Sequence, residues 1–404
     1  LTIIMLKQNK TSNPVLTERV QRVQPSATLT ISAKAMALKA QGIDIISLSA
    51  GEPDFDTPDH IKDAAIQAIH QGETKYTPVD GTPELKEAII EKFSRDNNLL
   101  YQQENILVSS GAKQTCFNLF QAVLEYGKEA VIISPYWVSY PDMVLLANGS
   151  PVILKTSLEN NFQFKAEDLD AALTKNTRLI MLNSPSNPTG ITYTKDQYQI
   201  IGEVLENYPD VFIATDDMYE HIYWGKDKFC SFAEACPRMF DRTITINGVS
   251  KAYAMTGWRI GYCGGPEKII TAMKKIQGQS TSNASSVSQA AAVVALNGSH
   301  QPVHSMAKEY KRRHTFIFNA LNNIKGFKTV AATGAFYTFP EVTGVIKDLN
   351  LSDDIELSDY LIEKANVAVV PGSAFGAKGH IRISFATSMN LLKEAVSRIK
   401  DVLK

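Results

Sequence analysis

The chain has 404 residues, 44% of them hydrophobic and 21% charged, with a formal net charge of -1. That length suits a large domain with a smaller companion, and the near-neutral balance, free of like-charge blocks, excludes a broad electrostatic surface for nucleic acid or an anionic membrane. No stretch approaches the ~20 apolar residues of a membrane span, and the four cysteines, Cys116, Cys230, Cys236 and Cys263, form no CxxC pair, so the expectation is a reduced, cytoplasmic protein with idle thiols.

The apolar run Leu1–Leu6 is short and lacks a basic flank or a small-residue cleavage site, so residues 1–13 read as a loose leader within an N-terminal arm, 1–25. Residues 26–55 are expected to pack with the smaller domain. From Asn105 onward, short apolar runs alternate with helical patterns. Strands are expected at Ile106–Ser109, Ala130–Ser134, Pro151–Lys155, Arg178–Asn183, Val211–Asp216, Thr243–Asn247 and Arg259–Cys263. Helices are expected at Lys113–Leu124, Trp137–Ala147, Ala166–Leu173 and Lys195–Asn207. This alternation predicts an α/β fold, a mostly parallel sheet sandwiched by helices, in a large domain spanning 56–305. Beyond it, a long helix at Met306–Asn323 leads into a smaller α+β domain, 306–404. Strands are expected there at Phe336–Val342, Val367–Val370 and Ile381–Phe385, and helices at Leu357–Ala365 and Leu391–Leu403.

In such sheets ligands gather beyond the carboxyl ends of the strands. Those ends carry the polar and glycine-rich words of this chain: SSGAK at 109–113, NSPSNPTG at 183–190, DDMY at 216–219 and NGVSK at 247–251. The last runs into SKAYAMTGWR at 250–259, in which Lys251 follows a strand and Arg259 lies eight residues on. A lone Lys–Arg pair in a loop is usually two solvated cations. Here Tyr, Met and Trp flank it, and desolvation favours a neutral amine able to attack an aldehyde, while the guanidinium can hold a phosphate bidentately. Small residues before a helix, as at Gly111 and Ala112, let backbone N–H groups approach an anion, although a glycine there is more often a turn. Asp216 at a strand end can equally cap the next segment, and Asn187-Pro188 can equally be a turn.

Together these words resemble the fold-type I, class I pyridoxal-phosphate aminotransferases, and bacterial aspartate aminotransferases in particular, over Ser26 to the C-terminus. The resemblance implies a pyridoxal 5'-phosphate cofactor joined to Lys251 as a Schiff base, with the freed amine acting as general acid and base. It implies that Arg259, Gly111 and Ala112 grip the cofactor phosphate, Asp216 pairs with the pyridine nitrogen, Tyr219 and Asn187 reach the 3'-oxygen, and Asn187 also reaches the substrate carboxylate. It further implies that Trp137 stacks on the ring, Arg382 clamps the substrate α-carboxylate, and Gly51 marks a loop over that carboxylate. Tyr76 is implied to reach the partner's cofactor phosphate across a homodimer. The family's Asp-Glu is Asp-Asp here, and the changed residue, Asp217, is not the ring partner.

Substrate choice rests on what meets the side chain. One branch of the family uses an arginine of the neighbouring subunit for a distal carboxylate; this sequence has no arginine between Arg259 and Arg312. Lys113 matches the lysine that serves in the bacterial branch. The favoured reaction is therefore ping-pong transfer between L-aspartate and 2-oxoglutarate. A broader specificity that accepts prephenate, aromatic amino acids or alanine, and a β-lyase or decarboxylase reaction on the same scaffold, stay open. A ligand sensor is not expected, since no DNA-binding module is read before Ser26, and neither is a dinucleotide-binding dehydrogenase, since no GxGxxG word follows a strand in the first half of the chain. No metal is expected.

Overall fold

The computed structural model describes residues 16–403. The expected leader and most of the arm at 1–25 lie outside the described residues. At its centre is a seven-stranded sheet, in the spatial order Ile106–Ser109, Gly261–Gly264, Thr243–Gly248, Phe212–Asp216, Thr177–Asn183, Glu129–Ser134, Ser150–Lys155. All neighbours pair in parallel except Gly261–Gly264, which runs antiparallel to both of its neighbours. The sheet is thus mixed and mostly parallel.

Side chains alternate between its two faces with period two. Ala130, Ile132, Leu179, Met181, Ala214, Ile244 and Ile246 pack with the helices Ala112–Val123, Ser139–Leu146 and Glu267–Gly278. Val131, Ile180, Leu182 and Ile213 face the opposite layer, with Leu169, Tyr198, Ile201 and Leu205. Both faces are covered, so the strands are nearly continuous apolar runs rather than alternating ones. The helices Asp59–His70, Pro83–Asn97 and Ser286–Asn297 build a further core against Ile106, Val108 and Tyr262.

A second core gathers Tyr310, Ile317 and Leu321 of the long helix Gln301–Asn322 with Leu357, Leu361, Leu392, Val396 and Ile399. It surrounds a small antiparallel sheet in the order Val370–Pro371, Ile381–Ser384, Tyr337–Thr338. Ile46–Ser47 pairs in parallel with Val367–Ala368, tying the N-terminal segment to this body. The long helix begins at Gln301, with Pro302 in its first turn; a proline has no N–H to lose there, so the helix starts earlier than Met306. The strand expected at Phe336–Val342 is confined to Tyr337–Thr338. No helix among the described residues is long and apolar enough to cross a membrane.

The reversed strand has a local cause and a consequence. Arg259, expected to open a strand, lies instead in the left-handed region at φ 57°, just after a short 3₁₀ turn at Thr256–Trp258. The chain then turns into Gly261, which pairs with Ser109 on one side and Gly248 on the other. A Cβ on Gly261 would lie 2.1 Å from the Ala112 nitrogen and 2.4 Å from the Gly111 carbonyl carbon. Only glycine lets the strand pass beneath the Gly111–Ala112 turn. We therefore expect Gly261→Ala to lower unfolding free energy by about 3 kcal/mol in urea denaturation, the upper range for forced overpacking; an unchanged midpoint would show that the turn yields freely.

Candidate active site

The carboxyl ends of the parallel strands and the amino end of the reversed one share one edge of the sheet. A cleft of about 450 Å³ opens there, between that edge and the second body. Its walls include Gly51, Ala112, Lys113, Trp137, Asn187, Asp216, Tyr219, Lys251, Arg259 and Arg382, and Gly111 is buried under the Arg259 guanidinium. Eleven of the twelve residues singled out from the sequence therefore meet in one place. Tyr76 does not join them within this chain. It is 91% exposed and borders a separate surface depression with Lys75 and Ser286.

Lys251 follows the strand Thr243–Gly248 by three residues, and its Nζ donates a 2.6 Å hydrogen bond to the Gly51 carbonyl. Burial lowers its pKa from the ordinary 10.5 to about 8, and the nearby Arg259 and Arg382 push the same way against Glu52 and Asp216. Asp216 closes the strand Phe212–Asp216 and is 6% exposed. Its Oδ2 accepts a 2.5 Å hydrogen bond from the Tyr140 hydroxyl, and its Oδ1 accepts from the Met218 N–H at 3.3 Å. Burial raises its pKa, while these donors and Lys251 oppose the rise. The turn that follows is anchored from behind. Buried Glu220 accepts from Asn97 at 2.7 Å and Asn247 at 2.9 Å, and forms an ion pair with buried Lys92.

Tyr219 is buried, and its hydroxyl lies 2.9 Å from that of Tyr337. Arg382, on the strand Ile381–Ser384, is 2% exposed. Its Nη1 donates to Asn187 Oδ1 at 3.0 Å and its Nη2 to the Ser49 carbonyl at 2.6 Å, while its Nε has no partner. Its guanidinium stacks over the rings of Tyr337 and Phe375, at 4.5 and 5.0 Å. The Asp354 carboxylate holds the loop carrying Phe375 by accepting from the N–H groups of Ser373 and Gly379. Asn187 is itself fixed, its N–H donating to Asn183 Oδ1 at 2.8 Å.

At the other end of the cleft, Arg259 donates to the carbonyls of Thr256 and Ser110. Gly111 lies at φ 85°, and a Cβ there would fall 2.3 Å from Arg259 Nη2. The helix Ala112–Val123 starts at this point, so unpaired N–H groups and a guanidinium share one small cradle. Lys113 places its ammonium 5.0 Å from the centre of the Trp137 ring. Partial burial and Arg259 together lower its pKa.

The charge balance is lopsided. Among the described residues, none of Lys113, Lys251, Arg259 and Arg382 forms an ion pair. The acids lining the cleft are Glu52 and Asp216. Such a site is built for an anionic ligand. The group of potential metal ligands found among the described residues, Asp96, Glu220 and His221, lies elsewhere, with Lys92 and Arg95 already against its carboxylates.

The family described as aminotransferase class I and II matches residues 43–399. An aspartate/prephenate aminotransferase of Nitrosomonas europaea is 54% identical over 394 residues, 96% of this chain and 99% of that protein. The chain belongs to the class I and II aminotransferases. Solved structures agree with this aminotransferase assignment. The aspartate aminotransferase of Rhizobium meliloti superposes with a TM-score of 0.92 at 47% identity, over 97% of this chain and 99% of that one. The Thermus thermophilus aspartate aminotransferase with maleate gives 0.91 at 40% identity, over 96% and 100%.

Two aromatic side chains not evident from the sequence support this aminotransferase's cleft, Tyr337 from its wall and Tyr140 from the core behind it. Tyr337 touches both Tyr219 and Arg382, and Tyr140 holds Asp216. Tyr140 closes the word YWVSY at 136–140, three residues after Trp137. Ser26, Thr28, Leu29 and Ser32 also line the cleft, from a segment expected only to pack against the smaller body.

The lowered pKa of Lys251 has a direct readout. Below about pH 8 its burial penalises the folded state in full, and the penalty fades as pH rises through 10.5, above which both states are neutral. Acylation of Lys251 in the cofactor-free protein, followed by peptide mass spectrometry, should rise with a midpoint near pH 8, well below that of surface lysines. A midpoint above pH 10 would contradict the buried environment.

Proposed function

We propose that this aminotransferase is pyridoxal-phosphate-dependent and passes the amino group of L-aspartate to 2-oxoglutarate, releasing oxaloacetate and L-glutamate in two half-reactions at one site. The observation that carries this reading is the set of four cations without ion pairs around a cleft that also holds a buried acid. The orphaned Nε of Arg382 and the cradle that a Cβ on Gly111 would fill fit the two anionic groups, carboxylate and phosphate.

When bound, pyridoxal phosphate supplies an aldehyde that accepts an amino group and an electron-poor ring that weakens the Cα–H bond. Arg259 with the backbone at Gly111 and Ala112 would hold the phosphate. Asp216 would face the ring nitrogen, Tyr219 and Asn187 the 3'-oxygen, and Trp137 one face of the ring. Lys251 would hold the aldehyde carbon through its amine and, once released, carry the proton away from the substrate Cα, a task its lowered pKa suits. Arg382 would bind the α-carboxylate of donor and acceptor alike, with Gly51 in the covering loop. Positioning by this clamp aligns the Cα–H bond with the lysine.

Lys113 would meet the distal carboxylate of aspartate and 2-oxoglutarate. Its ammonium is free of an acid partner, and relatives of similar length are called aspartate or aspartate/prephenate aminotransferases. Tyr76 would complete the site of a second copy in a homodimer. Its exposure within this chain supports that role. The division into 56–305 and 306–404, with 26–55 joining the latter, would let the cleft close between two bodies.

Protein incubated with pyridoxal phosphate should absorb visible light, and borohydride should fix the pyridoxyl group to Lys251; labelling that persists at one site in Lys251→Ala would refute the assignment. Lys113→Ala should cost about 2 kcal/mol in kcat/KM for aspartate, roughly thirtyfold, and leave alanine nearly unaffected. Equal losses for both donors would remove Lys113 from side-chain recognition.

A further inference from the structure

Asp216 presents a puzzle of its own. It is a carboxylate at the floor of the cleft, 6% exposed, with no ion pair among the described residues. A buried acid without partners takes up a proton and becomes neutral. One of its oxygens, Oδ1, has only a long contact of 3.3 Å with the Met218 N–H. The other, Oδ2, receives a 2.5 Å hydrogen bond from Tyr140. That short contact is the range of a hydroxyl donating to an ionised carboxylate.

The phenol is placed with little freedom. Tyr140 is 2% exposed, in the first turn of the helix Ser139–Leu146. Its ring meets Trp137 edge-on at 5.2 Å and Phe120 at 6.5 Å, and it packs beside Cys116 and Met143. Water could not replace the hydroxyl without opening this core. The segment that brings Trp137 over the cleft is thus also the one that fastens the acid beneath it.

We propose that Tyr140 is a positioning residue that holds Asp216 as an aimed anion for a protonated aromatic ring nitrogen, a role that rests on the pyridoxal-phosphate reading above. The phenol donates to Oδ2 and stabilises the charged carboxylate; the weakly engaged Oδ1 is left to accept from the ligand's N–H. Burial raises the Asp216 pKa, and the Tyr140 hydrogen bond comes first among the influences that oppose it. Tyr140 itself stays a neutral donor, since burial and the adjacent Asp216 push its pKa well up.

The test compares two ligands that differ at one ring atom. Pyridoxal phosphate and its carbocyclic analogue, with C–H in place of the ring nitrogen, are titrated into the cofactor-free full-length protein by fluorescence quenching. The two would share the covalent and phosphate contacts, but only the first can use the Asp216 charge. Tyr140→Phe removes one oxygen and keeps the ring packing. It should weaken pyridoxal phosphate about tenfold and leave the analogue unchanged, the loss of one charge-assisted hydrogen bond. In an Asp216→Ala background the same change should have no further effect on either ligand. Equal weakening of both ligands by Tyr140→Phe would mean that Tyr140 only packs, and no change for either would mean that its hydroxyl is idle; both results overturn the proposal. Failure of the unmutated protein to bind either ligand would instead overturn the cofactor reading on which it rests.

Discussion

The hydrogen bond from Lys251 Nζ to the Gly51 carbonyl joins the two halves of the site. It connects the turn after a central strand with a loop from the N-terminal segment, 200 residues apart in sequence. An amine in that position is removed from bulk water and sits between two guanidiniums and two carboxylates. Desolvation and the guanidiniums lower its basicity, and the acids restore only part of it. A nucleophilic amine near neutral pH follows from this placement, and the remaining site residues are arranged around it.

The placement needs the whole sheet. Parallel strands deliver their carboxyl ends to one edge, so Asn183, Asp216 and Ile246 arrive as neighbours although they come from distant parts of the chain. The single reversed strand adds Gly261 and, just before it, Arg259. Its close passage under Gly111 and Ala112 brings the guanidinium against a helix start. Steric allowance at two glycines is thus converted into an anion cradle. The second body supplies Arg382, whose charge is held by two carbonyl-type acceptors and two aromatic faces instead of by an acid. Such support leaves its positive charge uncompensated, which an anionic substrate can then meet.

Buried polar contacts hold these parts in register. Glu220 and Lys92 tie the turn after Asp216 to the helix Pro83–Asn97, and Asp354 ties the Phe375 loop to the helix Asp354–Lys364. Each acid here has its acceptor capacity used, as groups out of water must. Asp217 differs: burial keeps its pKa well raised, and neither oxygen has a hydrogen-bond partner. Its neutral form is the one that can persist there.

The chain's local chemistry determined a good deal without any coordinates. Apolar runs of five or six residues alternating with helical spacing specify buried parallel strands, and the glycine, asparagine and aspartate words at their ends mark where the ligand edge lies. Lys251, Asp216, Asn187 and Arg259 could be placed at that edge because they sit in the polar words at strand ends, whereas Arg382 came only from the family resemblance. Direction and depth were not legible. The stretch Arg259–Cys263 reads as one more strand, but only pairing reveals that it starts at Gly261 and runs backwards. Tyr140 and Tyr337 look like ordinary core aromatics in sequence. Their hydroxyls matter because packing against distant elements aims them at Asp216 and Tyr219. Side-chain identity and local periodicity act over a few residues. Which polar atom meets which, and with how little water, is decided by contacts between segments far apart in the chain, and those exist only once the chain has folded.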